Sequence, residues 1–142
     1  MKPKEENCAG VIPLRIKADK SLEILLALHT KGSYWAFPKG HIEAHEPPYT
    51  AAERELFEEL NLEIESLYGH PPLKEDYIFE RDGTEVHKFI TYYPAFVKGE
   101  ITLKETHEVK EAKWFSVTQA LSQITYDETR KMLEPLIQTF KK

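Results

Sequence analysis

The sequence predicts an α/β fold, a mixed β-sheet sandwiched between α-helices. Three observations carry this. Strand-like runs dominate the first hundred residues, one helical pattern interrupts them near the middle, and two more close the chain. Strands and helices do not alternate regularly, so an all-parallel wound sheet is not expected. The 142 residues fit one domain spanning 1–142, long enough to bury a core without disulfides or a structural metal.

The elements follow in order. Residues 10–17, GVIPLRIK, read as a strand, and Pro13 suggests an edge or a bulge. Residues 21–29, SLEILLALH, form a second strand whose nearly continuous apolar centre implies burial. A Lys-Gly-Ser turn leads into WAFPKGHIEAHE (35–46), which has neither strand nor helix periodicity and reads as a loop. Pro47 and Pro48 suit the first turn of a helix, because a missing N–H costs nothing there; that helix runs to about Leu60. Residues 62–67 alternate as a strand. Asp82-Gly83 is a hairpin turn between DYIFE and EVHKFITYYPAFV. Lys113–Phe115 is a short strand. Residues 116–123 and 127–140 are helical, with Asp127 a good N-cap for the second.

Composition narrows the function. The single cysteine, Cys8, cannot make an intramolecular disulfide, so a cytoplasmic setting is expected. The N-terminal MKPKEENCAG has no apolar run behind its charges, and no stretch approaches the ~20 apolar residues of a membrane span. A net charge of −5 argues against broad nucleic-acid binding. An acidic protein that binds an anion needs a metal or a local basic patch.

The middle helix, PPYTAAERELFEELNL, points to the metal. At ~100° per residue, Tyr49, Ala52, Leu56 and Leu60 share a core face. Glu55, Glu58 and Glu59 fall in another arc of roughly 100°. Like charges so spaced destabilise a helix, and Glu58 and Glu59 also lie at its unfavourable C-terminal end. A solvated acidic face is the commoner explanation of such a cluster. Here basic partners are sparse, Arg54 being the only one in the helix.

Loop and helix together give Gly40, five residues, Glu46, seven residues, then Arg54-Glu55-Leu56-Phe57-Glu58-Glu59-Leu60-Asn61-Leu62. This resembles the Nudix box, G-x5-E-x7-R-E-U-x-E-E-x-G-U with U apolar. One fixed position departs: Asn61 stands for the last Gly. Asn is the next-best residue in the left-handed conformation that closes a helix. The resemblance implies the Nudix fold and a loop–helix–loop that holds Mg²⁺, or alternatively Mn²⁺, against a diphosphate linkage. Hard cations want oxygen ligands. The implied ligands are Glu55, Glu58 and Glu59, with the backbone carbonyl of Lys39. Arg54, grouped with the catalytic residues, is expected to hold an acid in place, and Glu46 to tie the loop to the helix. Gly40 is expected to turn the chain sharply. Lys39 and His41 would contact phosphate. Trp35 and Phe37 would anchor the loop in the core or line the pocket.

Beyond the box, WAFPKGHIE, CAGVIPLR, HKFITYYPAFVKGE and THEVKEAKWFSVTQAL resemble the asymmetrical diadenosine tetraphosphate hydrolases of that family. The likeness spans roughly residues 8–135 and is thinnest over 63–86. It implies that Glu108 is a further metal ligand or, like Glu58, a general base. It makes Lys88 a polyphosphate contact, and Tyr92 and Tyr126 the aromatic faces for a base. The implied substrate is a small dinucleoside polyphosphate, cut to ATP and AMP by a monomer that needs no nucleic acid or membrane. RNA 5′-triphosphate ends, nucleoside triphosphates, or a non-catalytic nucleotide-binding module are the alternatives. Where many relatives have Pro-Gly before the loop acid, this chain has Ala44-His45. His29, His70 and His87 show no metal spacing, and His107 reads as an exposed neighbour of Glu108.

Overall fold

Two long strands lie side by side through the middle of the sheet. The computed structural model describes residues 4–103 and 108–140. In it β1 (Lys4–Ile16) and β7 (Thr84–Lys98) run parallel, in register from Lys4 opposite Val86 to Leu14 opposite Phe96. The remaining strands attach antiparallel to this pair or its neighbours. They are β2 (Leu22–His29), β3 (Tyr34–Ala36), β4 (Lys39–His41), β5 (Glu63–Leu67), β6 (Leu73–Arg81) and β8 (Val109–Ser116). β2 and β4 pair with β1, β5 and β6 with β7, and β3 and β8 with β2. The sheet is mixed, as the sequence predicts.

Helices cover both faces, and the period of two in the strands sorts the core into halves. On one face Ala9 and Val11 of β1 and Leu25 and Ala27 of β2 pack with Ala52, Leu56 and Leu60 of α1 (Pro48–Leu60). On the other face Cys8, Ile12, Leu14, Ile24 and Leu26 meet α2 (Val117–Gln123) and α3 (Asp127–Phe140) through Ala120, Leu133 and Leu136. This two-sided burial explains the nearly continuous apolar run of β2.

Three local expectations change. Pro13 lies in a central strand, opposite Ala95, and not at an edge. It is tolerated because β1 pairs with β4 only over 8–10 and with β2 only over 14–16. The Val11 N–H points to that side, donating to the Pro38 carbonyl. Two residues on, Pro13 therefore lacks a donor just where no strand would accept one. The presumed loop 35–46 contains β3 and β4, each three residues long, too short to show periodicity. Asp127 opens α3 from inside its first turn, with its carboxylate paired to Arg130.

The helix ends follow local chemistry. α1 starts at Pro48 behind Pro47 and ends at Asn61, whose φ of 63° is left-handed and whose N–H donates to the Phe57 carbonyl at 2.9 Å. Ser116 and Gln119 close a capping box at the start of α2.

Gly10 is where β1 meets β4 most tightly. A Cβ there would sit 2.3 Å from the Pro38 carbonyl oxygen and 2.8 Å from the Lys39 Cβ. Backbone cannot yield as a side chain would. Gly10→Ala is expected to lower stability by ~1–3 kcal/mol through overpacking, measurable as a lower denaturation midpoint in urea; an unchanged midpoint would mean that β4 can move away from β1.

Candidate active site

Helix α1 grips β4 through consecutive residues. Glu59 Oε1 accepts the Lys39 N–H at 3.1 Å. The Glu55 carboxylate lies on Gly40, where a Cβ would come within 2.1 Å of its carboxyl carbon. Arg54 Nη2 donates to the His41 carbonyl at 2.9 Å. Gly40 thus makes no sharp turn: it is the middle residue of a strand, and what it supplies is the space a side chain would fill.

Arg54 also gathers the acids around it. It donates to Glu46 at 2.8 and 3.0 Å, to Glu55 at 2.9 Å and to Glu58 at 3.2 Å. Glu46 in turn accepts the Glu43 N–H at 3.0 Å, and the Arg54 hydrogen bonds hold its carboxyl down at about 2. Loop and helix are therefore tied at Glu46. His45, one residue before it, has φ 67°, the conformation a glycine would take without strain.

The acids of α1 do not share one environment. Glu55 and Glu59 are buried, Glu59 to 2 % exposure, and neither forms a solvated face. Burial, reinforced by the Glu55 charge, pushes Glu59 up to about 9, with Lys39 pulling the other way. Burial also raises Glu55 against the pull of Arg54. Glu108, placed where β8 begins, completes a group of three: one carboxylate oxygen from each of Glu55, Glu59 and Glu108 lies within 4.8 Å of the others. Glu58 stands outside this group. Its exposed side chain turns to Arg54, one helical turn back, and not to the other acids. His107 lies outside the described residues.

Such a group suits a hard divalent cation. Two buried carboxylates beside a third repel one another, and a cation between them would remove the penalty that raises their pKa values. The oxygen-only donor set fits Mg²⁺ or Mn²⁺ and not a softer metal.

The acids open into a cleft of about 430 Å³ whose walls include His29, Lys31, Tyr34, Lys39, His41 and Lys88. A second cavity of about 510 Å³ shares Lys31, Tyr34, Lys39, His41 and Lys88 with it. The second cavity is aromatic, lined by Tyr34, Tyr77, Phe79 and Tyr126. Between the two, Lys39 Nζ donates to the Tyr34 hydroxyl at 2.8 Å. Buried His29 stacks on Tyr34 at 4.9 Å and meets the Phe37 carbonyl at 2.9 Å; burial drives its pKa down to about 3, so it stays neutral there.

The pocket residues expected from sequence divide. Lys39, His41, Lys88 and Tyr126 line the cavities. Tyr92 does not, and its expected role as a base-stacking face is corrected. It is 0 % exposed and packed edge-on to Phe37 at 5.4 Å, and its hydroxyl has no hydrogen-bond partner among the described residues. Lys88 and Tyr92 share a face of β7, but four residues on, roughly 13 Å away, that face has passed under the core. Phe37 is core, and Trp35 packs on Phe115. Tyr34, Tyr77 and Phe79 were missed, as were Arg81 and Glu6. The alternation of β6 was the available signal: Glu75, Tyr77, Phe79 and Arg81 all project into the aromatic cavity.

A NUDIX domain matches residues 6–136. The chain belongs to the Nudix family. Known relatives do not agree on a substrate. This Nudix domain is 30% identical to the asymmetrical bis(5′-nucleosyl)-tetraphosphatase of Caenorhabditis elegans, over 89% of the chain and 91% of the relative. It is 35% identical to MutT4 of Mycobacterium tuberculosis, over 70% of the chain and only 40% of that protein. NAD-capped RNA hydrolase NudC of Haemophilus influenzae is 30% identical over 82% of the chain and 42% of its own length. Among solved structures, the C. elegans Ap4A hydrolase binary complex aligns with a TM-score of 0.73 at 24% identity, covering 96% of this chain and 98% of that one. The fold is thus the Nudix fold. No helix among the described residues is long and apolar enough to cross a membrane.

One ion pair at the rim has a pH signature. Glu6 takes Arg81 Nη1 at 2.5 Å and lies 3.3 Å from His41 Nε2. The Arg81 hydrogen bond lowers its pKa from 4.5 to about 2. A depressed carboxylate stabilises the fold above its unfolded value and loses that contribution as pH falls through its folded value. Acid denaturation should therefore include a Glu6 component between pH 4.5 and about 2. In urea titrations across this range, the stability difference between wild type and Glu6→Gln should be constant above the window and shrink through it. A constant difference down to the lower limit would dissociate Glu6 from Arg81.

Proposed function

We propose that this Nudix hydrolase cleaves dinucleoside polyphosphates asymmetrically, with diadenosine tetraphosphate giving ATP and AMP. The observation that carries the reading is the joining of two cavities. An aromatic chamber suited to a base opens into a cleft of carboxylates suited to a metal-bound phosphate chain, across a shared wall of Lys31, Lys39, His41 and Lys88. Similarity to the C. elegans tetraphosphatase along nearly the full length of both chains supports it.

In this reading Glu55, Glu59 and Glu108, with the Lys39 carbonyl, hold a divalent cation, Mg²⁺ or Mn²⁺. When bound, that ion neutralises phosphate charge and polarises the phosphorus under attack. Lys39, Lys88 and His41 bind the polyphosphate and stabilise charge on the leaving nucleotide. Water attacks in line, and Glu108, the exposed acid of the three, accepts its proton. Arg54 keeps Glu55 aimed. Tyr126, 5.5 Å from Tyr34, forms a face of the base site; such stacking is worth ~1–3 kcal/mol per base. The similarity to NudC favours RNA 5′ ends as a second reading.

Product chromatography tests it. Diadenosine tetraphosphate with Mg²⁺ should yield equal ATP and AMP, faster than diadenosine triphosphate, nucleoside triphosphates or 5′-triphosphate RNA. Two ADP, or a preference for RNA ends, would overturn the assignment. Glu59→Gln should lower kcat by ~10²–10³-fold or more with an unaltered circular dichroism spectrum; near wild-type turnover would remove Glu59 from the metal site. Tyr126→Ala should raise KM for the dinucleotide ~10-fold, in line with one lost stacking contact, and leave Mg²⁺ affinity unchanged. An unchanged KM would take Tyr126 out of the pocket.

A further inference from the structure

One buried acid at the rim of the aromatic cavity has no place in the chemistry above. Glu6 lies near the start of β1, opposite Lys88 of β7, and its side chain is 8 % exposed. Nitrogens from two other strands converge on its carboxylate. Arg81 of β6 donates through Nη1 at 2.5 Å and Nη2 at 3.3 Å, and His41 Nε2 of β4 lies 3.3 Å from Oε1. The anchor is buried, whereas the side chains of Arg81 and His41 are 36 % and 63 % exposed and both line the cavity.

We propose that Arg81 is a further substrate-binding residue, one that selects long phosphate chains, and that Glu6 is the positioning residue that aims it. The proposal rests on the reading of this site as a dinucleoside polyphosphate site. Lys31, Lys39, His41 and Lys88 border both cavities, whereas Arg81 borders only the aromatic one. It therefore extends the cationic wall away from the carboxylates. A phosphate chain held at the carboxylates meets the shared wall first and reaches Arg81 only when it is long.

Arg81 is held at two points. Its fork is hydrogen-bonded to Glu6, and its guanidinium carbon lies 5.1 Å from the centre of the Phe79 ring. Lys88 Nζ lies 5.8 Å from the centre of the same ring, so two cations from neighbouring strands meet over one residue. A guanidinium carries five N–H donors. Among the described residues the hydrogen bonds of Arg81 all go to Glu6, which leaves its other donors for a ligand. A planar fork fixed at its end and at its face is already placed, and its geometry matches the paired oxygens of a phosphate.

Glu6 brings a negative charge to a wall that receives an anion, and its placement limits the cost. Its oxygens are turned to Arg81 and His41, so the acid faces inward and the donors outward. A plain fastening of β1 to β6 would work differently. A lysine at position 81 would serve that purpose, since a lone ammonium also pairs with a carboxylate. It could not hold a carboxylate and a phosphate together in one plane, as a guanidinium can. That difference separates positioning from fastening.

Calorimetry with inorganic tetraphosphate and with pyrophosphate, each with Mg²⁺, tests this without requiring dinucleotide turnover. Arg81→Gln should weaken tetraphosphate binding ~10-fold, as for one charge-assisted contact, and pyrophosphate binding less than about two-fold. Arg81→Lys should recover little of the loss. Glu6→Ala should weaken tetraphosphate to a similar extent, and the double variant should stay within about two-fold of Arg81→Gln, because both changes remove one interaction. Circular dichroism and urea midpoints establish that each variant is folded; if Glu6→Ala is not, the two Arg81 variants decide. Tighter tetraphosphate binding by Glu6→Ala would show that Glu6 only repels the chain and would overturn the proposal. Full rescue by Arg81→Lys, equal losses for both ligands, losses that multiply in the double variant, or no tetraphosphate binding by wild type would overturn it as well. If tetraphosphate binding depends on Arg81 but no dinucleotide is cleaved, the phosphate contact stands and the hydrolase assignment falls. Cleavage of diadenosine tetraphosphate with a KM indifferent to Arg81→Gln sinks the phosphate contact alone.

Discussion

The contact between the Glu55 carboxylate and Gly40 fixes the rest of the site. A strand and a helix can come this close only if one contributes no side chain, and Gly40 contributes none. Residues 39, 40 and 41 of β4 are then held by Glu59, Glu55 and Arg54 of α1, an N–H, a Cα and a carbonyl in turn. Each grip sets the next. If β4 withdrew, Glu59 would lose its backbone donor and Arg54 its anchor on His41, and the two buried acids would have no reason to stay beneath the strand. The cost of burying two like charges is accepted here because their geometry is imposed by packing. This is preorganisation by exclusion of alternatives: the acids cannot relax apart, so a cation meets them already placed.

The same construction resolves how a chain of net charge −5 can receive a polyanion. Most acidic residues lie elsewhere, while Lys31, Lys39, His41 and Lys88 converge on the wall common to both cavities. Burial, seconded by the nearby charge of Lys39, lowers the Lys88 pKa. Fields in a low-dielectric cleft are set by the groups lining it more than by the total charge. Acids on one side and cations on the other make a gradient along which a metal–phosphate pair, and neither alone, is complementary.

How much was legible in the sequence follows from the range of each contact. Arg54, Glu55 and Glu59 sit within two turns of one helix, and their spacing from Gly40 and Glu46 is short, so a linear pattern records them well. Even there the pattern could not distinguish Glu58. Helical phase groups it with the other acids, whereas in the structure its side chain lies against Arg54, apart from the cluster of Glu55, Glu59 and Glu108. Tyr92 failed for a related reason. Period two placed it correctly on the Lys88 face of β7, but depth along that face depends on where α3 lies across the sheet, which no local pattern encodes. Tyr34, Tyr77, Phe79 and Glu75 were missed although β6 alternates plainly. Glu75, Tyr77 and Phe79 lie in the stretch where the resemblance is thinnest, Tyr34 in a strand only three residues long, and an alternating strand face does not announce whether core, solvent or ligand will cover it.

The division between well-marked and poorly marked residues is itself physical. Metal and phosphate chemistry is common to a whole family, and it demands oxygen atoms at set separations; one helix and one glycine can supply them. Recognition of the leaving group demands only a flat apolar surface and an edge contact, which many side chains on many strands can provide. The cavity that would serve it is lined by Tyr77 and Phe79 of β6, Thr129 of α3 and, from the segment before α3, Tyr126; Arg130 holds that segment by donating to the Leu121 carbonyl at 2.8 Å and also to the Ile124 carbonyl. Three elements that do not touch the carboxylate cleft can therefore vary together without disturbing α1 and β4. The shared wall of Tyr34 and Lys39 is the exception, since Lys39 belongs to both sides through its N–H on Glu59 and its ammonium on Tyr34. On the proposed reading, a base in the aromatic chamber would present its phosphates to that one lysine, which would couple a variable pocket to a fixed chemistry.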